Sequence, residues 1–426
     1  MRRIIVVLLV VLVSAGCAVN PVTGQRELSL VGEQWELDVG RENYAPLRQM
    51  QGGDFTLEPE LVSYVQDVGH RLAAVSDREL PYEFSVINDS TPNAWALPGG
   101  KISINRGLLT EMQSEAELAA VLGHEIVHSA ARHGAQSQSR AVLMQGAVMA
   151  GGVAAGVATD DQRYAQIAVM GGMLGAQLVS QRYSREAERE ADEFGMRYMH
   201  RAGYNPRGAV ELQQTFVRLS EGRRAGAFDA LFASHPPSQE RVENNRRLLA
   251  ELGDEGEIGR ERYQRMTAGL RQMQPAFEAY DEGRKALAEG DTATALAKAE
   301  LALAVDSREA RFHSLRGDAL AERGEFGRAE QAYAQALEHD PSWFYHHLRL
   351  GMARMELDRA AQAKRNLENS IELLPTAVGH LYLGNAERAL GNRTRAIEQY
   401  RIAAQSDSAV GQRARQALQE MGAAQQ

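Results

Sequence analysis

Cysteine is almost missing from this chain. Of 426 residues only Cys17 is one, which excludes an intramolecular disulfide and a thiolate metal cluster. A basic excess is missing too: 47 Lys and Arg stand against 56 Asp and Glu, a formal charge of −9. A protein that tracks phosphates needs a basic face, so no nucleic-acid partner is expected. Aromatic residues make up only 6%, while Ala, Leu, Arg, Glu and Gln recur throughout. That composition reads as mainly α, an α+β chain with little sheet, and not as a sandwich or barrel. At roughly 100–200 residues per domain, two or three domains are expected, each able to bury a core.

A long hydrophobic run is also lacking. The N-terminal apolar stretch extends only from Ile4 to Val13, too short for a comfortable membrane span. It follows Arg2 and Arg3 and precedes Ser14-Ala15-Gly16, the pattern of a secretory signal over residues 1–16. A cysteine directly after that point resembles a bacterial lipoprotein signal, although Ser14 stands where Leu is usual. The resemblance implies that Cys17 is lipidated and anchors the chain to a membrane. Ala18 and Val19 follow, with no Asp, which by the same resemblance favours the outer membrane. The expected location is therefore the bacterial periplasm.

Within 17–50, Asn20-Pro21-Val22-Thr23-Gly24 reads as a tether and 28–50 as a helix. A second helix spans 58–76, with Leu61, Val65, Val68 and Leu72 at helical spacing. The period then drops to two over 82–87 and 101–105, giving two strands. From 115 to 250 nearly everything reads as helix, broken at Gly203, Pro206 and 234–238. The Gly-, Ala- and Met-rich stretch 141–180 contains Gln145, Gln166 and Gln177, which favours packed or mobile helices near a membrane surface over a membrane hairpin. The resulting division is a domain over 51–250, a linker helix over 251–275 and a repeat domain over 276–420.

The repeat is carried by small residues. Gly283, Gly317 and Gly351 lie 34 apart, and Gly384 follows after 33; Ala295, Ala329, Ala363 and Ala396 keep an offset of 12 from them. Tyr333, Leu367 and Tyr400 follow these alanines, and Pro341 and Pro375 close two units. This is the tetratricopeptide pattern, about four pairs of helices crossing where only Gly and Ala let backbones approach.

Chemistry concentrates at His124-Glu125-Ile126-Val127-His128. Positions four apart on a helix lie about 40° apart on one face, so both imidazoles can reach one ion. Glu125, displaced by one position, can hold a water instead. His133 lies five after His128, about 140° round a continuous helix, which places it at the surface or behind the ligands. A downstream acid is the better third ligand, but spacing does not choose among Glu186, Glu188 and Asp192.

Four segments occur in order: Asn93-Ala94-Trp95-Ala96-Leu97-Pro98-Gly99-Gly100, the His-Glu-x-x-His run, Ser184 through Asp192, and Ser234-His235-Pro236-Pro237-Ser238. Together they resemble the zinc endopeptidase family of the HtpX heat-shock protease and the CAAX prenyl protease. The resemblance implies a helical gluzincin-type peptidase domain with a small β-sheet edge, followed by an α-solenoid of repeats. It implies that His124, His128 and Glu188 bind one Zn2+ per chain, that Glu125 is the general base, and that Asp192 stands behind a ligand and orients it. His235 becomes either a donor to the oxyanion or a fourth ligand that keeps the enzyme latent. By position alone, Arg241, six residues on, can help orient that loop. Asn93, Ala94, Trp95 and Ala96 become an edge strand that pairs with extended substrate. With the signal and the repeats, the implied function is quality control: hydrolysis of unfolded or misassembled envelope and outer-membrane proteins recruited by the repeats, with the outer-membrane assembly machinery as a partner. The alternative is a chaperone or assembly scaffold whose protease site is plugged by His235.

Overall fold

The computed structural model describes residues 17–151, 182–221 and 225–423. Most of the stretch 141–180, on which helices near a membrane surface are expected, lies outside these residues. Among the described residues no helix is long and apolar enough to cross a membrane. The chain divides into two compact units, one of residues 1–45, 59–158 and 174–268 and the other of 46–58, 159–173 and 269–426.

The first unit opens with a hairpin, β1 (Cys17–Val19) paired antiparallel with β2 (Arg26–Leu28). The expected tether is thus a folded turn. Asn20 Oδ1 accepts from Val22 N at 2.9 Å, and its Nδ2 donates to Glu190 Oε1 at 2.6 Å. Helix α1 (Glu33–Met50) follows and carries Pro46 where one unit gives way to the other. Helix α2 (Pro59–Ala73) buries Leu61, Val65, Val68 and Leu72, the stripe expected from their spacing.

The sheet has three strands in the order β3-β5-β4: β3 (Glu83–Ile87), β4 (Ala94–Leu97) and β5 (Lys101–Asn105). β5 is central, parallel to β3 and antiparallel to β4. Asn93–Leu97 therefore lead into and form an edge strand, turned by Gly99 and Gly100, both at φ near +80°. A short helix α3 (Arg106–Leu109) leads to α4 (Glu115–Ala130), buried along its whole length. Ser114 starts α4: its Oγ accepts from Glu117 N, while Glu117 Oε2 accepts from Gln113 N at 2.8 Å. Such a cap is worth about 1 kcal/mol. The unit continues with α5 (His133–Gly151), α6 (Arg185–Arg201), α7 (Arg207–Glu221), α8 (Asp229–Ser234), α9 (Gln239–Leu252) and α10 (Arg260–Met266).

In the second unit a short helix α11 (Ala268–Gln272) precedes four antiparallel helix pairs: α12 (Gln274–Ala288) with α13 (Thr292–Val305), α14 (Ala310–Glu322) with α15 (Phe326–His339), α16 (Phe344–Glu356) with α17 (Ala360–Leu373), and α18 (Ala377–Ala389) with α19 (Arg393–Ala403). A last helix, α20 (Ala409–Glu420), covers Ala396 and Tyr400. The glycines set the crossings. A Cβ on Gly317 would stand 2.6 Å from Tyr333, and one on Gly351 would stand 2.7 Å from Leu367.

Candidate metal centre

Helix α4 is surrounded by protein yet carries His124, Glu125 and His128, so these groups need partners of their own. The partners arrive because α4 and α6 cross at two glycines. A Cβ on Gly123 would lie 3.1 Å from Gly195 O, and one on Gly195 would lie 3.0 Å from His124 N. Ser184 caps α6, its Oγ accepting from Ala187 N. Glu188 and Asp192 then face α4 while Glu186 is exposed. The third contributor comes from the turn after α8. His235 is held there between that helix and α9, which Ser238 caps by accepting from Arg241 N at 3.2 Å.

The donor atoms converge. His124 Nε2 is 3.0 Å from His128 Nε2 and 3.2 Å from His235 Nδ1. Glu188 Oε1 is 3.0 Å from His235 Nδ1 and 3.4 Å from His128 Nε2. All four lie within 4.8 Å of one another. With zinc–nitrogen bonds of about 2.0–2.1 Å, the edges of a tetrahedron of ligands are about 3.3–3.4 Å, so the spacing suits one ion. A second observation agrees: Glu125 Oε2 is buried with no hydrogen-bond partner among the described residues. Two imidazoles and a carboxylate also accept other divalent metals, so the donor set fits zinc without requiring it.

The surroundings fix the ligand rings. His124 Nδ1 faces Asp192 Oδ1 at 3.1 Å, and Arg241 grips both oxygens of that carboxylate at 2.6 and 2.7 Å. Arg241 Nη1 also donates to Pro236 O at 3.1 Å and lies 3.1 Å from Glu188 Oε2. It thereby ties the His235 turn to α6, a stronger role than the sequence suggests. Burial opposes charge on His124, yet Glu188 and Asp192 outweigh it and raise its pKa to about 10. Burial pushes the Glu125 carboxyl up against the pull of His235 and His124. It also opposes the charge on Glu188, but those two histidines hold that carboxyl well below the usual range.

Two residues need comment. His133 is buried rather than on the surface, and its Nδ1 lies 2.8 Å from His128 Nδ1. Helix α4 ends at Ala130, and Arg132, at φ 64°, reverses the chain so that His133 returns to the site. Projection along one continuous helix left it at the surface or behind the ligands, and the reversal at Arg132 puts it behind His128. Tyr183 is the residue that sequence reasoning missed: its ring stacks on His128 with centroids 4.0 Å apart. Its place, just before the Ser184 cap, is the only sequence signal for it. Cys17 and the edge strand are placed by the fold, and Ala94, Trp95 and Ala96 are buried.

Known proteins are similar to this chain. The model for "Peptidase family M48" matches residues 59–248, and one for "Tetratricopeptide repeat" matches 280–342. A beta-barrel assembly-enhancing protease of Vibrio cholerae is 35% identical over 195 residues, 44% of this chain and 39% of its own length. The chain thus spans well under half of that relative. The mitochondrial metalloendopeptidase OMA1 of Schizosaccharomyces pombe is 30% identical over 57% of this chain and 68% of its own. The metalloprotease YcaL of Escherichia coli is 30% identical over 45% of this chain and 74% of its own. With relatives of this identity covered over more than two thirds of their length, the chain belongs to peptidase family M48.

Proposed function

We propose that the chain is a zinc-dependent endopeptidase, one Zn2+ per molecule, of the bacterial cell envelope. The observation that carries this is the convergence of His124, His128, Glu188 and His235 beside Glu125, whose Oε2 has no hydrogen-bond partner among the described residues. A bound divalent ion supplies Lewis-acid polarisation of the scissile carbonyl and makes water a better nucleophile near neutral pH. The protein's own groups do the rest. Glu125 takes the proton of the attacking water and returns it to the leaving amine. Asp192, itself held by Arg241, fixes the ring of His124 and hence its tautomer. Edge strand β4 adds an extended substrate segment to the sheet, a mode that selects unfolded chain over sequence.

The substrates are unfolded or misassembled envelope and outer-membrane proteins, recruited by the repeats over 276–420. The family over 59–248 and the relative named for β-barrel assembly support this reading, and they support the assembly machinery as a partner. The signal over 1–16 and lipidation of Cys17 place the molecule in the periplasm, anchored to the outer membrane. One observation favours a second reading, a chaperone or scaffold with a latent site: His235 Nδ1 lies among the ligand atoms. Catalytic zinc needs an open position, so activity then requires the turn over 234–238 to move.

The test is digestion of an unfolded protein by zinc-loaded chain starting after Cys17, beside Glu125→Gln and His235→Ala. Cleavage by the parent and none by Glu125→Gln supports the peptidase, and faster cleavage by His235→Ala makes the histidine a latch. If His235→Ala is as silent as the parent despite bound metal, the scaffold reading replaces it.

A further inference from the structure

Next to the candidate metal centre, and within the first unit, lies a cavity. It opens on His124, Glu125 and His235. Asp192, Arg241 and Asn245 also line it, and the rest of its wall is largely apolar, with Met196 and Met199 from α6, Leu212 and Phe216 from α7, and Leu231 from α8. On α7, between these apolar residues, stands a polar one. Gln213 is 5% exposed, and its Oε1 is buried with no hydrogen-bond partner among the described residues. A bare acceptor in an apolar wall is destabilising in the empty protein, and neither the metal centre nor the packing of α7 uses it.

We infer that this cavity is the specificity pocket for a residue flanking the scissile bond, and that it selects tyrosine, with Gln213 Oε1 accepting from the phenolic hydroxyl. The inference rests on the endopeptidase reading and adds its substrate preference. The walls suit an aromatic ring, since methionine sulfur and the Phe216 ring both make favourable contacts with one. The acceptor separates tyrosine from phenylalanine, because a site built around a hydrogen bond rejects the analogue that leaves its polar group unpaired. Leucine meets the apolar walls without the acceptor, and alanine meets neither. Gln213 is therefore a specificity residue and has no part in the bond-breaking step.

Gln213→Leu keeps the size of the side chain and deletes the bare acceptor, so its thermal midpoint should match or exceed that of the parent. A clear drop would show that Gln213 serves the fold and would overturn the inference. Cut sites in a denatured protein mixture are then mapped by mass spectrometry for the zinc-loaded parent and for Gln213→Leu. The parent should favour tyrosine over phenylalanine at one flanking position by about tenfold, the value of one hydrogen bond, and the variant should bring that ratio to about one. A ratio unmoved by the variant, or no aromatic preference, overturns the inference. Binding provides the independent readout. Glu125→Gln should hold a labelled tyrosine peptide about tenfold more tightly than its phenylalanine twin, and the double variant should not distinguish them. If the parent cuts nothing, the endopeptidase reading fails by itself. Equal affinity of Glu125→Gln for the two peptides then overturns the pocket.

Discussion

Both units bury histidines, and they use them differently. In the first, His124, His128 and His235 crowd together with ring nitrogens 3.0–3.2 Å apart, and Glu188 and Asp192 face them. In the second, His313, His346, His347 and His380 are equally buried but dispersed. Each is bonded locally: His313 to Ser307 O, His346 to Ser314 Oγ, His347 to Pro341 O and His380 to Gln399 Oε1. Burial drives all four pKa values down, and these rings serve as neutral packing. A buried histidine is therefore no mark of a site. Convergence on shared carboxylates is, because it concentrates donors and negative charge that only a cation can satisfy.

The contrast can be broken or sharpened by experiment. The largest effect should come from Glu125→Gln, with kcat/KM on an unfolded protein falling about 10²–10⁴-fold and the fold intact by circular dichroism. Chelation should abolish cleavage and destabilise only the first unit. The loss is about 4 kcal/mol relative to metal at a thousand times its Kd, and calorimetry should show the transition of the repeats unmoved. Arg241→Ala leaves Asp192 and Glu188 without their buried counter-charge and should cost about 3–5 kcal/mol by urea unfolding. A smaller effect is set by pH. Burial lifts the Glu117 carboxyl from an ordinary 4.5 to about 7, so the folded state keeps a proton that the unfolded state has lost between those values. That contribution is fully present below pH 4.5 and declines as pH rises to about 7, by at most about 3 kcal/mol. Glu117→Gln should remove this part of the slope in urea midpoints measured from pH 4.5 to 7.5. The smallest effect belongs to the repeats. His346→Phe loses one local hydrogen bond and should cost no more than about 1.5 kcal/mol, with cleavage unchanged. A collapse of activity there would erase the distinction between the two units.

Local rules made much of this legible. The 34-residue phase of small residues anticipates the helix pairs, down to Tyr333 over Gly317 and Tyr400 over Gly384. The i, i+4 histidines anticipate two donors on one helix face. What local rules miss depends on how elements meet. Glu186, Glu188 and Asp192 are separated only by the α4–α6 crossing at Gly123 and Gly195, which exposes the first and turns the other two inward. The return of His133 depends on one left-handed residue, Arg132. The double hold of Arg241 on Asp192 and Pro236 O depends on how α9 is set after the turn over 234–238, since Arg241 lies 49 residues downstream of that carboxylate. Nothing in the segment 46–58 signals that it groups with the repeats, where Trp343 Nε1 donates to Gln49 O and Phe344 N donates to Gln49 Oε1.

The claim that side chains from separate parts of the chain hold one ion is tested most directly by X-ray absorption at the zinc edge, on loaded full-length protein and on His128→Ala. The account predicts one zinc held at about 2.0–2.1 Å by at least two imidazole nitrogens and a carboxylate oxygen, with one imidazole fewer in the variant. The same number of imidazoles in both proteins would contradict it, since His128 would then stand beside the ion without binding it.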